Sequence, residues 1–268
     1  MPPTGRHRRP RPRRCGRTRK QARRRGGPVA HPTISEDIPP MYENIVKGLW
    51  PVLLRTWRHD WQGGEHIPKS GGFVAAANHI SYLDGFTLAQ FLISQGRAPR
   101  YLAKSALFGM PGVKRVMTGT GQIPVVRGSA QAVQAYEAAL DAIERGDCIC
   151  VMPEGTLTRH EDLWPMPGKT GAARIALSTG CPLIPIGMWG TQDVLFPYRG
   201  VTPKPLPRKT IKVYAGAAVD LDDLRGVPMT GGVLREATAR LMDAITVQLE
   251  RARGEVAPDR SNDMNGEH

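Results

Sequence analysis

From residue 72 onward, short apolar runs alternate with longer stretches in which apolar residues recur at intervals of three and four. The runs "GFVAAAN", "RYLAK", "QIPVV", "CICVM", "PLIPIGM" and "TIKVYAG" are five to seven residues long. Glycine, proline or polar residues bound them, which predicts six strands. Between them, "SAQAVQAYEAALDAIERG" places Val133, Tyr136, Leu140 and Ile143 at helical spacing. Ser129 is placed to cap that helix and Gly146 to end it. "KTGAARIALSTG" predicts a shorter helix of the same kind. "TGGVLREATARLMDAITVQLERAR" puts Leu234, Ala237, Leu241, Ile245 and Leu249 on one face of a closing helix. Strands alternating with helices predict an α/β fold with a mostly parallel central sheet flanked by helices. No internal repeat is present.

Upstream, "YENIVKGLWPVLLRTWRHDW" carries Ile45, Leu49, Val52, Leu53 and Trp57 at near-helical spacing, with Lys47, Arg55 and Arg58 among them. It predicts a short N-terminal amphipathic helix, cut short or kinked at Pro51. Its apolar face suits either the domain's own core or a lipid interface, where Trp50, Trp57 and Trp61 would be the anchors. The chain therefore divides into a basic tail at 1–40, an amphipathic membrane-interface segment at 41–61, a folded domain at 62–253 and a polar tail at 254–268.

Charge sharpens this division. Residues 1–40 hold twelve Lys and Arg against Glu36 and Asp37, a net +10, so 228 residues share the remaining +3 of the total +13. A segment so basic and so poor in large apolar residues cannot bury a core, and disorder is expected. Nucleic acid would bind it only non-specifically, by charge. "MYENIVKGLW" at Met41 reads as a second beginning, which leaves open whether 1–40 is native. The four cysteines show neither a zinc spacing nor a disulfide framework, consistent with a reducing compartment. No stretch reaches the roughly 18 apolar residues of a membrane span.

In a parallel sheet, polar groups that follow strands collect at one edge. Here Asn78 and His79 follow one predicted strand, Lys104 a second, Arg127 a third, and Glu154, Gly155 and Thr156 a fourth. An imidazole titrates near neutrality, and Asp84, five residues after His79, can return to it through a tight turn. That pairing would fix the tautomer and leave the other ring nitrogen as a base. A helix-capping aspartate is the plainer reading of Asp84. Arg127 carries the planar donor fork that suits phosphate, and Lys169 and Arg174 lie where a helix start would favour an anion. No serine or cysteine stands as an evident nucleophile, and no histidine spacing suggests a metal.

In order, "NHISYLD", "GQIPVVR", "MPEGTLT" and "CPLIPIG" resemble the four sequence blocks of the glycerophosphate acyltransferase superfamily, in particular its bacterial lysophosphatidic acid acyltransferases. The resemblance covers roughly residues 60–220. It implies a glycerophosphate-acyltransferase-like fold and transfer of a fatty acyl group from acyl-coenzyme A or acyl carrier protein to 1-acylglycerol-3-phosphate, giving phosphatidic acid, with no cofactor and no metal. His79 would be the general base and Asp84 its orienting partner. Asn78, Lys104, Gly121, Arg127, Glu154, Gly155, Thr156 and Pro185 would bind substrate. The partners implied are a lysophospholipid and the cytoplasmic membrane surface, with a cytoplasmic protein held peripherally on the inner face of the cell membrane. Two positions depart from the pattern: Leu157 and Thr158 stand where Arg and Ser usually follow, with Arg159 two positions late, and Ala106 replaces a common acidic residue. Both fall near the expected acceptor. Acylation of another lysophospholipid or glycolipid, and thioester hydrolysis, therefore remain alternatives, as does a non-enzymatic anionic-surface binder that works through the tail.

Overall fold

The computed structural model describes residues 33–125, 131–198, 202–204 and 206–258. The greater part of the basic tail, Arg127, the Ser129 cap and the last ten residues lie outside them.

Strand β2 (Phe73–Ala77) is buried along its whole length. Helices cover both of its faces, so it reads as a continuous apolar run. It is flanked by β5 (Cys148–Val151) and β6 (Leu183–Trp189), both parallel to it. The sheet extends on one side through β3 (Pro99–Lys104) to β4 (Ile123–Val125), with the short helix α3 (Val113–Gly119) between them in the chain. On the other side it extends through β7 (Thr210–Ala215) to β1 (Arg58–Gln62). The order is β1-β7-β6-β2-β5-β3-β4, and only the β6–β7 pairing is antiparallel. All six predicted strands are present.

The two-residue period of the strands sorts the core into two layers. Phe73, Ala75 and Ala77 pack with Leu88, Phe91 and Leu92 of α2 (Asp84–Ser94). Val74 and Ala76 face α4 (Gln131–Glu144), α5 (Gly171–Thr179) and α6 (Gly231–Arg253). The closing helix α6 buries Leu234, Ala237, Leu241, Ile245 and Leu249 as expected. It lies so close to β6 that a Cβ on Gly187 would come within 2.3 Å of the Leu249 nitrogen. Helix α4 differs from the expectation. Val133 is exposed, and the buried face is Ala135, Ala139, Ala142 and Ile143, because small residues bring this helix near the sheet.

The N-terminal segment departs furthest from its prediction. Helix α1 (Pro40–Thr56) continues through Pro51, which is exposed, so the hydrogen bond it lacks is on the solvent side. Its inner face, Tyr42, Val46 and Trp50, packs on Ile93 and Ala98. Residues 58–61, assigned to the amphipathic segment, belong instead to β1, which has no apolar run to announce it. Trp57, His59 and Trp61 alternate onto one face, with ring centroids 6.5 and 4.5 Å apart, and Trp61 meets Phe91 edge-on. Burial, then the Arg208 charge, pushes the His59 imidazole down to about 4. Of the two readings of this segment its tryptophans take the core one: Trp50 and Trp57 are buried and Trp61 partly buried, while Leu49 and Val52 face outward from α1.

The tail boundary at 40 also moves. Ile34 and Ile38 pack against the α1 cluster, and Glu36 pairs with the buried Arg97. No helix among the described residues is long and apolar enough to cross a membrane.

Candidate active site

Where β2 ends, Asn78 takes over the role of a strand residue. Its side-chain amide donates to the Met188 carbonyl at 3.1 Å, and its oxygen accepts from the Met188 amide at 2.7 Å. This fixes the chain at the sheet edge, and His79 follows. Residues 80–83 turn tightly into α2, which begins at Asp84.

Asp84 is fully buried. Its Oδ2 accepts from the amides of Ile80 at 2.6 Å and Ser81 at 2.8 Å, and lies 2.9 Å from His79 Nδ1. Its Oδ1 accepts from Thr191 Oγ1 at 2.6 Å. The aspartate closes the turn that precedes α2 and holds the imidazole; it does not cap the helix, whose N-cap position is Leu83 with no side-chain cap bond. With donors converging on the carboxylate, Nδ1 carries the hydrogen-bonded proton and Nε2 is left as the basic nitrogen. The His79 side chain is 23% exposed, so a substrate can reach it. Among the described residues Nε2 has no partner.

Glu154 lies behind the histidine. One oxygen accepts the His79 amide at 2.9 Å and the other the Met166 amide at 3.0 Å. Burial raises its carboxyl to about 7, outweighing the two amides and the His79 charge, which favour the ionised form. The loop after it returns to the same place, where the Thr158 amide donates to the His79 carbonyl at 2.7 Å. Gly155 makes the turn between them possible, with φ at +74°.

The remaining predicted residues are dispersed. Lys104, exposed at the end of β3, and exposed Thr156 lie at the same edge of the sheet as His79. Gly121 does not. Register places it level with Arg100, Ile149 and Val74, near the opposite ends of the strands, where the Arg100 guanidinium reaches its carbonyl. Pro185 is buried in mid-sheet beside Ala76, on the α6 side. Asn78 and Glu154 spend their polar atoms on backbone, and Arg127 lies outside the described residues. Arg174 stacks on Tyr136, with its guanidinium carbon 5.9 Å from the ring centroid. Thr191 and Met166 were not singled out from the sequence, and Thr158 only as a departure from the family pattern; nothing local to them signals the role they take. No cluster of His, Cys, Asp and Glu that could hold a metal occurs among the described residues.

The sequence model of the acyltransferase family matches residues 58–189, which contain the dyad and the Glu154 loop. That stretch, about half of the chain, is an acyltransferase domain. The chain is similar to a chloroplastic 1-acyl-sn-glycerol-3-phosphate acyltransferase of Brassica napus, 30% identical over 158 residues, or 58% of this chain and 44% of that one. A 1-acyl-sn-glycerol-3-phosphate acyltransferase of Borreliella burgdorferi is 31% identical over 132 residues, 49% of this chain and 51% of its own. The match thus spans about half the length of these relatives. The crystal structure of the 1-acyl-sn-glycerophosphate acyltransferase of Thermotoga maritima shares the fold, with a TM-score of 0.58 at 24% identity over 81% of this chain and 80% of its own.

Proposed function

We propose that the protein transfers a fatty acyl group from a thioester, acyl-coenzyme A or acyl carrier protein, to the free hydroxyl of 1-acylglycerol-3-phosphate, giving phosphatidic acid. The observation that carries this reading is the imidazole of His79, bound through Nδ1 to buried Asp84 and accessible at a sheet edge. The names of the relatives support the acceptor. Nε2 removes the acceptor's hydroxyl proton as the oxygen attacks the thioester carbonyl carbon. The tetrahedral intermediate then breaks its carbon–sulfur bond, and the thiolate leaves with the proton held on Nε2. A base of this kind contributes on the order of 10² to 10⁴ in rate. Lys104, Thr156 and Arg127 are the residues offered for the acceptor's phosphate, while Asn78 and Glu154 hold the machinery in place. The reaction calls on no metal or cofactor.

Both lipids belong to a bilayer, so this function implies peripheral attachment at the inner face of the cell membrane, with Leu49 and Val52 of α1 turned outward. The test is thiol release from acyl-coenzyme A by the full chain, with and without lysophosphatidic acid, beside His79→Ala. Release that depends on the acceptor and vanishes in the variant is expected. Release without acceptor would replace transfer with hydrolysis. Faster turnover of another lysolipid would change the acceptor.

A further inference from the structure

Arg253, the last residue of α6, has its side chain only 7% exposed although it lies at a helix end. Its guanidinium carbon is 3.9 Å from the ring centroid of Trp164 and 4.2 Å from that of Trp189, so the cation contacts two indoles. Nη1 donates to the Asp162 carbonyl at 2.6 Å, and Nε donates to Glu255 at 3.0 Å. A planar cation flanked by aromatic faces, with its edges hydrogen-bonded, has little freedom left to move.

Each of the two tryptophans belongs to a segment that supports one half of the dyad. The Trp164 carbonyl accepts Thr158 Oγ1 at 2.7 Å, and the Thr158 amide holds the His79 carbonyl at 2.7 Å. Two residues after Trp164, the Met166 amide holds Glu154, which in turn holds the His79 amide. Trp189 ends β6, and two residues later Thr191 donates to Asp84. The loop through Trp164 is also strained, since Leu163 has φ at +61°, a conformation that persists in a non-glycine residue only when its surroundings impose it.

The geometry points to Arg253 as a positioning residue that sets the His79–Asp84 dyad by holding the two supporting segments together. This rests on the acyltransferase reading above. Arg253 touches neither substrate nor the reacting atoms. Its effect is to keep the imidazole and its carboxylate aligned, which is a contribution to turnover rather than to binding.

The test compares Arg253→Met and Arg253→Lys with the wild-type full chain, by steady-state thiol release and by amide hydrogen exchange. Arg253→Met should lower kcat at least tenfold with KM for acyl-coenzyme A and lysophosphatidic acid within about threefold. Arg253→Lys, which keeps the cation between the indoles, should recover most of the loss. Exchange at the amides of His79, Thr158 and Met166 should rise about tenfold in Arg253→Met, with the middle of α6 unchanged. Faster exchange throughout α6 and β2, with kcat per folded molecule unaltered, would reduce Arg253 to a stabilising residue and overturn the proposal. Unchanged kcat, or unchanged exchange at the three amides, would do the same. Should the wild type release no thiol with any acceptor, the acyltransferase reading fails by itself, and the exchange result alone decides whether Arg253 holds the loop.

Discussion

Replacing Glu36 with alanine should cost about 3–5 kcal/mol of stability, although the residue lies in a segment that reads as a disordered tail. Arg97, with which it pairs, is 1% exposed, and Glu36 itself is 8% exposed. Arg97 donates to the carbonyls of Pro68, Gly71 and Gly146 and lies over the Phe73 ring. These groups solvate the guanidinium but carry no net charge. Glu36 supplies the only carboxylate among its described partners, and its second oxygen accepts the Ala98 amide at 2.9 Å. Removing it leaves a buried cation uncompensated, which is what makes breaking a buried pair so costly. At about 2–4 °C per kcal/mol for a domain of this size, the melting temperature should fall by roughly 10 °C. Urea unfolding followed by tryptophan fluorescence measures the difference directly. A chain starting at Met41 lacks the same carboxylate and should show at least the same loss. If Glu36→Ala unfolds within 1 kcal/mol of the wild type, the pair is not the counter-charge described here and the segment is dispensable.

Two further outcomes concern the dyad. Thr191→Val removes the donor to Asp84 Oδ1, leaving a buried acceptor short of a partner. It should cost about 1–3 kcal/mol of stability and lower kcat more than it raises KM, with Thr191→Ser restoring both; wild-type kinetics from Thr191→Val would remove Thr191 from the machinery. Glu154 has its carboxyl raised from 4.5 to about 7 in the fold, so the native state binds the extra proton between those values. Its contribution to stability is complete below pH 4.5 and is lost as pH rises through 7, a change of about 3 kcal/mol. The stability difference between wild type and Glu154→Gln should therefore shrink by that amount from pH 4.5 to pH 8 in urea titrations, whereas a difference that stays flat would mean the carboxyl is ionised throughout.

The six apolar runs, the stripe of α6 and the spacing of His79 and Asp84 were all legible in the sequence, because each is a local pattern: a period of two or 3.6, or a five-residue turn. The motifs also sufficed to point to the superfamily. Strand β1 was not legible, since its stability comes from pairing with β7 and from rings that meet Phe91 rather than from an apolar run of its own. The tryptophans, large and amphipathic, suited a core and a lipid interface equally; the packing of α1 and β1 on α2 turned them inward. The same holds for the polar residues. Asn78 and Glu154 looked like ligands for a substrate because their side chains can bind one, yet Met188 lies 110 residues from Asn78 and His79 lies 75 residues from Glu154. Thr191 is 107 residues from the aspartate it holds. Which side chains meet at such separations is set by the strand order, which brings β5 and β6 to either side of β2, and no local pattern encodes that order. The sequence by itself thus determined the elements and the chemistry available at their ends. Only the tertiary structure decided which of those groups face a substrate and which hold the others still, because a buried polar group is committed to whatever partner the fold brings within hydrogen-bonding distance.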